Sequence, residues 1–156
     1  MTNEIKDDNP KLDVIILEPT PRDQMRLDYF TRNRDDEGMS FPSWRLTHQH
    51  GVIVSLSNNK IVGVLGYVLP NGLSHPDDLK IEHIYIMPGM RHQGRGKSMV
   101  EAVSLLAQVR SMKRITAAAQ YEDHSLQEFL VACGFIKRLV TSIPAFYSHY
   151  YLPIGV

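Results

Sequence analysis

The sequence holds a single cysteine, Cys133, so no disulfide can form within the chain, and a reducing compartment is expected. It carries no net charge: seventeen Lys and Arg residues balance seventeen Asp and Glu. Without an excess of either sign it offers no general attraction for nucleic acid or for an anionic membrane surface. None of its apolar runs is long enough to cross a bilayer. No internal repeat, low-complexity tract or long linker divides it. The first ten residues are polar and acidic, unlike a signal peptide, and read as a flexible lead. What remains is the expectation of a soluble, cytoplasmic, single domain over residues 1–156, with ordinary globular composition at 43% hydrophobic and 22% charged residues.

Hydrophobic period and turn chemistry predict the elements. Leu12 to Leu17 reads as a strand. Thr20-Pro21 opens a helix, with Thr as N-cap, that runs to about Arg32 and is expected to bury Met25, Tyr29 and Phe30. A short second helix is expected around 43–49. Gly51–Ser57 and Lys60–Leu69 flank Asn58-Asn59, a pair that tolerates positive φ and predicts a hairpin. A strand is expected from Leu79 to Pro88, then a helix from Gly96 to about Met112 with Met99, Val103, Leu106 and Val109 on one face. Arg114–Gln120 reads as a buried strand. Ser125-x-x-Glu128 is a capping box, and Gly134 stands where a C-terminal glycine belongs. Phe135–Thr141 and Phe146–Leu152 complete the set. The order predicts a mixed α+β or α/β sandwich, a mostly antiparallel sheet of about six to seven strands with three to four helices.

One stretch, residues 79–100, combines features that point to a ligand. An apolar strand ends at Pro88, a basic turn containing Gly94 and Gly96 comes next, and a helix begins. The first-turn N–H groups of a helix point outward at the positive end of its dipole, and glycines let the backbone approach an anion. A phosphate-bearing ligand is therefore expected there. Arg91 to Ser98 also comes close to a P-loop, with Gly96-Lys97-Ser98 in place. Arg91 stands where that loop needs its first glycine, and Arg114–Gln120 carries no acid for magnesium. A nucleotide hydrolase is thus a remote alternative.

Arg91-His92-Gln93-Gly94-Arg95-Gly96 resembles the R/Q-x-x-G-x-G/A signature of the GNAT superfamily of acetyl-coenzyme A-dependent N-acetyltransferases. The Ile86-Met87-Pro88 step before it, the Gly134-Phe135 step after the next helix, and the order of elements from 12 to 152 extend the resemblance. It implies a GNAT-like sheet whose strands around 80–87 and 114–120 splay apart to hold acetyl-CoA. The backbone of Arg91, His92, Gln93, Gly94, Arg95 and Gly96 would hold the pyrophosphate, with Lys97 and Ser98 close behind and charge from Arg91, Arg95 and Lys97. The pantetheine arm would run along the backbone of Ile84, Tyr85 and Ile86. A local bulge there would free an N–H for the thioester oxygen. A homodimer is open to it, and no metal is implied.

Transfer to an amine needs a base to remove a proton from the nitrogen. Glu82 is the candidate, expected to share one side of its strand with Lys80, Ile84 and Ile86 unless the bulge shifts it, while His83 faces away as a packed or exposed strand residue. The family often protonates the leaving thiolate with a Tyr four residues before the Gly-Phe glycine. That position here is Leu130, which leaves Tyr121, His124, Tyr147, Tyr150 and Tyr151 as substitutes in principle, none singled out by spacing, with solvent as a further proton source. The missing Tyr keeps a second reading in play, an acyl-CoA-binding module without transferase activity. Cys133 reads as a packed thiol. His48 and His50 lack a third ligand and read as loop residues. The acceptor is expected to be a small-molecule or protein amine. The acids at 35–37 and 77–78 would favour a cationic one if they border it.

Overall fold

A seven-stranded sheet in the order β1-β2-β3-β4-β5-β7-β6 forms the middle of the molecule. The computed structural model describes residues 13–32, 44–70, 77–138 and 147–154. The strands are β1 (Asp13–Ile16), β2 (His50–Ser57), β3 (Lys60–Val68), β4 (Asp78–Ile86), β5 (Arg114–Gln120), β6 (Ile136–Arg138) and β7 (Tyr147–Pro153). Every neighbouring pair is antiparallel except β4 and β5. A parallel pair needs a crossover, and helix α2 (Arg95–Val109) supplies it. Helices α1 (Pro21–Arg32) and α3 (His124–Ala132) complete the set, and a 3-10 turn, Pro88–Met90, leads into the basic turn. The mixed, mostly antiparallel architecture is the one expected.

The strong local signals appear where they are expected. Asn58 and Asn59 take φ of 51° and 63° and close the β2–β3 hairpin. Thr20 Oγ1 accepts from Asp23 N at 3.2 Å and starts α1 at Pro21. Gly134 takes φ +95°, and Gly134 N and Phe135 N donate to Val131 O and Leu130 O, which ends α3 on its glycine. The cap at the other end of α3 differs from the expected box. Asp123 accepts from Leu126 N at 3.1 Å, so the helix starts ahead of Ser125.

Two helix faces also differ. In α1 the buried residues are Leu27 and Phe30, while Met25 and Tyr29 are exposed. The inward face is set by Gln24, whose amide donates to Trp44 O at 2.9 Å and accepts from Leu46 N at 2.8 Å. With that pairing, residues 44–49 form no helix, so this part of the expected second helix is absent; its start at 43 lies outside the described residues. In α2, Met99 and Val103 are buried as expected, but Val109 is exposed. The helix stops at Val109 rather than Met112, because Ser111 turns to φ 58° and Met112 N donates to Ala107 O. The outer parts of the strands expected at 12–17, 135–141 and 146–152 fall in part outside the described residues.

The two faces of the sheet are covered unequally. On one face, α2 and α3 pack Met99, Val100, Val103 and Leu130 against Leu79, Ile81, Ile115, Ala117 and Tyr150. On the other, α1 and Trp44 cover Val52, Val54 and Val64. No described residue of β5, β6 or β7 joins that second layer. Among the described residues, the half of this face beside β4 carries no covering layer.

Candidate active site

Two irregularities in β4 build the site. The first is in its ladder with β3: Gly66 pairs with His83, but Tyr67 pairs with Ile81. Glu82 is the extra residue, a β-bulge, which leaves one residue unpaired and reverses the inward-outward phase of the rest of the strand. Leu79 and Ile81 face α2 before the bulge, and Ile84 and Ile86 face α2 after it. The expected grouping of Lys80, Glu82, Ile84 and Ile86 on one side is corrected accordingly. Lys80 and Glu82 do share a face, with Nζ and Oε1 3.4 Å apart. His83 and Tyr85 turn toward the α1 layer, where His83 meets the Trp44 ring edge-on at 5.7 Å and Tyr85 meets Phe30 at 6.3 Å.

The second irregularity is on the β5 side. β4 and β5 pair only from Asp78–Arg114 to Ile81–Ala117. Beyond that point they part, as the splay predicted. The slot between them encloses ≈ 30 Å³, with Glu82, His83, Ile84 and Ala118 at its mouth and Val100, Leu126 and Leu130 along its wall. Its lining is drawn from β4, β5 and the α2–α3 layer.

His83 joins the site, although simple alternation along the strand turns it away from Glu82; the bulge brings both to the slot. Burial lowers the His83 pKa below its ordinary value of 6.5, and the Glu82 carboxylate partly offsets this. Glu82 and His83 are the titratable side chains lining the slot. Tyr121 and Tyr147 do not line it: both are exposed, with Tyr147 paired opposite Gln120 at the far end of β5. Cys133 stands apart in a groove on the flank of α2, and burial raises its thiol pKa.

At the end of β4 the chain makes the expected turn. His92 takes φ 62° and Gly94, the N-cap of α2, φ 80°. The backbone N–H groups from His92 to Lys97 have no acceptor among the described residues. They form a cluster of donors at the positive end of a fifteen-residue helix. Gly96 is needed for space: a Cβ there would stand 2.7 Å from the Phe129 ring and 3.3 Å from Ile86. Such a cradle of bare N–H groups under a glycine fits a pyrophosphate.

The basic side chains of this turn do different things. Arg91 folds back: its Nε donates to Ile86 O at 2.7 Å and its guanidinium lies over the Tyr85 ring at 5.4 Å. Lys97 is exposed at the first turn, and Ser98 N closes onto Gly94 O. Arg95 was expected to add charge toward the phosphate, yet its side chain is buried. It donates to Ser55 Oγ at 3.1 Å, Leu56 O at 3.2 Å and Gln93 Oε1 at 3.2 Å, so it ties the turn to β2 where that strand faces a bulge at Val62 of β3. We expect Arg95→Met, which keeps the length and removes these bonds, to cost about 1–3 kcal/mol. A thermal melt should show a fall in Tm of several degrees, and an unchanged Tm would refute the tether.

Comparison with known proteins agrees with this geometry. The sequence profile of the Acetyltransferase (GNAT) family matches residues 16–135. No curated protein matches the sequence. Among solved structures, the GNAT domain of PAT from S. lividans superposes with TM-score 0.71 at 13% identity, over 91% of this chain and 90% of that one. The ribosomal-protein-S18-alanine N-acetyltransferase from Escherichia coli superposes with TM-score 0.67 at 13% identity, covering 92% and 96%. An aminoglycoside acetyltransferase from an uncultured soil metagenomic sample, solved with sisomicin, gives TM-score 0.66 at 18% identity, covering 85% and 95%.

Proposed function

This chain belongs to the GNAT acetyltransferase family, and from that premise we propose that it transfers an acetyl group from acetyl-CoA directly to an amine acceptor. The observation that carries the reading is the parting of β4 from β5 beside the bulge at Glu82. When bound, acetyl-CoA supplies the activated acyl group as a thioester. The chain's part is to hold, dry and deprotonate. The N–H groups of residues 92–97 hold the pyrophosphate. Past the bulge, the backbone of Ile84, Tyr85 and Ile86 pairs with β3 but not with β5, and on that side, Ile86 O apart, it would offer its groups to the amides of a pantetheine arm. Val100, Leu126 and Leu130 exclude water from the slot.

Glu82 is the candidate base for the acceptor nitrogen. His83, adjacent and held neutral by burial, is a second group able to take or relay a proton. No tyrosine lines the slot among the described residues, so water would supply the proton to the leaving thiolate. The P-loop reading loses its ground, because the matched family covers that turn and Arg91 replaces the glycine it requires.

The neighbours in fold act on amines as unlike as an aminoglycoside and a ribosomal protein, so the fold alone does not choose the acceptor. Calorimetric titration with acetyl-CoA should show saturable binding, and an amine panel followed by free-thiol release should show acceptor-dependent turnover. Absence of binding would overturn the cofactor assignment. Binding without thiol release from any amine would favour an acyl-CoA-binding module, the reading that Leu130 in place of a phenol supports.

A further inference from the structure

We propose that the acceptor amine carries an anionic group, a carboxylate or a phosphate, held by Arg114 and Arg138 on the half of the sheet that no described helix covers, where Lys137 of the edge strand also lines the cavity. The inference rests on the transferase reading above. A cavity of ≈ 420 Å³ lies there, lined by Asp78, Arg114, Thr116, Lys137, Arg138 and Tyr151. That volume is in the range of small-molecule sites.

Strand register sets the cavity on the Glu82 side of the sheet. Lys80 pairs with Thr116, Asp78 with Arg114, and Thr116 with Tyr151. Arg138 pairs with His149, two residues from Tyr151. Directly paired residues share a face. The face of Thr116, Tyr151 and Arg138 is opposite the one on which Leu79, Ile81, Ile115, Ala117 and Tyr150 pack under α2 and α3, whereas Lys137 pairs with Tyr150 and starts from the latter. Lys80 in turn contacts Glu82 at 3.4 Å. Lys80 thus stands between Thr116 of the cavity and Glu82 of the slot.

The chemistry of its lining is one-sided. Asp78 is the one carboxylate against the three cations, and it accepts from Arg114 Nε at 2.9 Å. The terminal N–H groups of Arg114 have no acceptor among the described residues, and neither Lys137 nor Arg138 has a carboxylate there within ion-pair reach. Thr116 and Tyr151 add hydroxyl donors. In a chain of zero net charge, such a local excess of donors is complementary to an anion. The acids at 77–78 do not make a cation site: Asp77 pairs with Lys113 at 3.5 Å and Asp78 with Arg114. Those at 35–37 lie outside the described residues.

The spacing limits the acceptor further. At about 3.3 Å per residue and about 4.8 Å per strand, Arg114 stands roughly 14 Å from Glu82, backbone to backbone, and Arg138, on the third strand across, stands farther because β4 and β5 part at that level. Their long side chains close part of that gap. An amine several bonds from its anion, as in an ω-amino acid, fits this better than an α-amino acid.

The test is a series of ω-amino acids from glycine to 6-aminohexanoate, their carboxamides, and ω-aminoalkyl phosphates, each with acetyl-CoA and followed by thiol release. Longer acids or phosphates should exceed their neutral partners in kcat/KM at least about tenfold, the scale of a charge-assisted hydrogen bond. The better of the two anionic arms identifies the group. Arg138→Gln, at an exposed edge-strand position, should raise the KM of the anionic acceptor about tenfold and leave the KM for acetyl-CoA unchanged. Carboxamides used equally well, or a preference that survives Arg138→Gln, would overturn the proposal. If no amine releases thiol, the transferase reading fails instead. The anion site is then read by titrating 6-aminohexanoate and its amide into CoA-loaded protein while following the Tyr151 ring resonances. A shift common to both, or to neither, overturns it.

Discussion

Glu82→Gln is expected to lower kcat for acetyl transfer by about 10²–10⁴-fold, the usual span for loss of a general base. Acetyl-CoA binding should change little, because Glu82 lies at the slot and not at the turn that cradles phosphate. Steady-state kinetics with a working acceptor separates the two. Unchanged kcat would remove Glu82 from the mechanism. The pH profile then distinguishes the role of His83. Its imidazole titrates below 6.5 because burial disfavours the charged form, and Glu82 raises it in part. A rate that needs neutral His83 therefore persists to below pH 6.5 and falls as pH drops through the lowered value. Glu82→Gln removes the raising charge, so the acid limb should move to still lower pH. A limb that stays in place belongs to another group. The same shift acts on stability. The unfolded chain binds this proton more readily, so a stability contribution present above the unfolded pKa is lost as pH falls through the folded one.

Gly96→Val is expected to raise the Kd for acetyl-CoA by about a hundredfold or more and to lower Tm. A Cβ at Gly96 meets the Phe129 ring at 2.7 Å and Ile86 at 3.3 Å. Overpacking of this kind costs about 1–3 kcal/mol, and valine adds two further methyl groups. The first turn of α2 would have to lift, taking with it the N–H groups of residues 95–97, which have no acceptor among the described residues. Phe129→Leu in the same chain should restore part of the affinity by vacating the space. Gly89→Ala is the control: a Cβ there has no neighbour within 4 Å. Calorimetry on the variants would refute this account if Gly96→Val bound acetyl-CoA as well as Gly89→Ala does.

Much of this architecture is legible in the linear pattern because it depends on neighbours in sequence. Thr20-Pro21, Asn58-Asn59 and the Gly134-Phe135 stop act within a turn of chain, and all three appear as expected. The strands show the period of the side chains, and the glycine-punctuated turn at 91–96 announces its helix. The inward face of α1 is ambiguous in the sequence because Met25, Leu27, Tyr29 and Phe30 are all apolar or aromatic. Which pair is buried depends on Gln24 docking to residues 44–46, twenty positions away. The cap of α3 is ambiguous because Asp123 and Ser125 are both good caps, and the close of β5 selects the first.

By itself, then, the sequence determined the family, the order of the elements and the place of the phosphate turn. Tertiary structure alone decided which side chains meet at the slot. The bulge at Glu82 exists only in the ladder between β3 and β4, where Gly66 and Tyr67 skip one residue. It brings His83 beside Glu82 and moves Ile84 to the other face. The inward turn of Arg95 likewise depends on Ser55, forty residues away, standing opposite a second bulge. Strand phase and buried polar pairing are set by partners distant in sequence, and no local pattern encodes a distant partner's register.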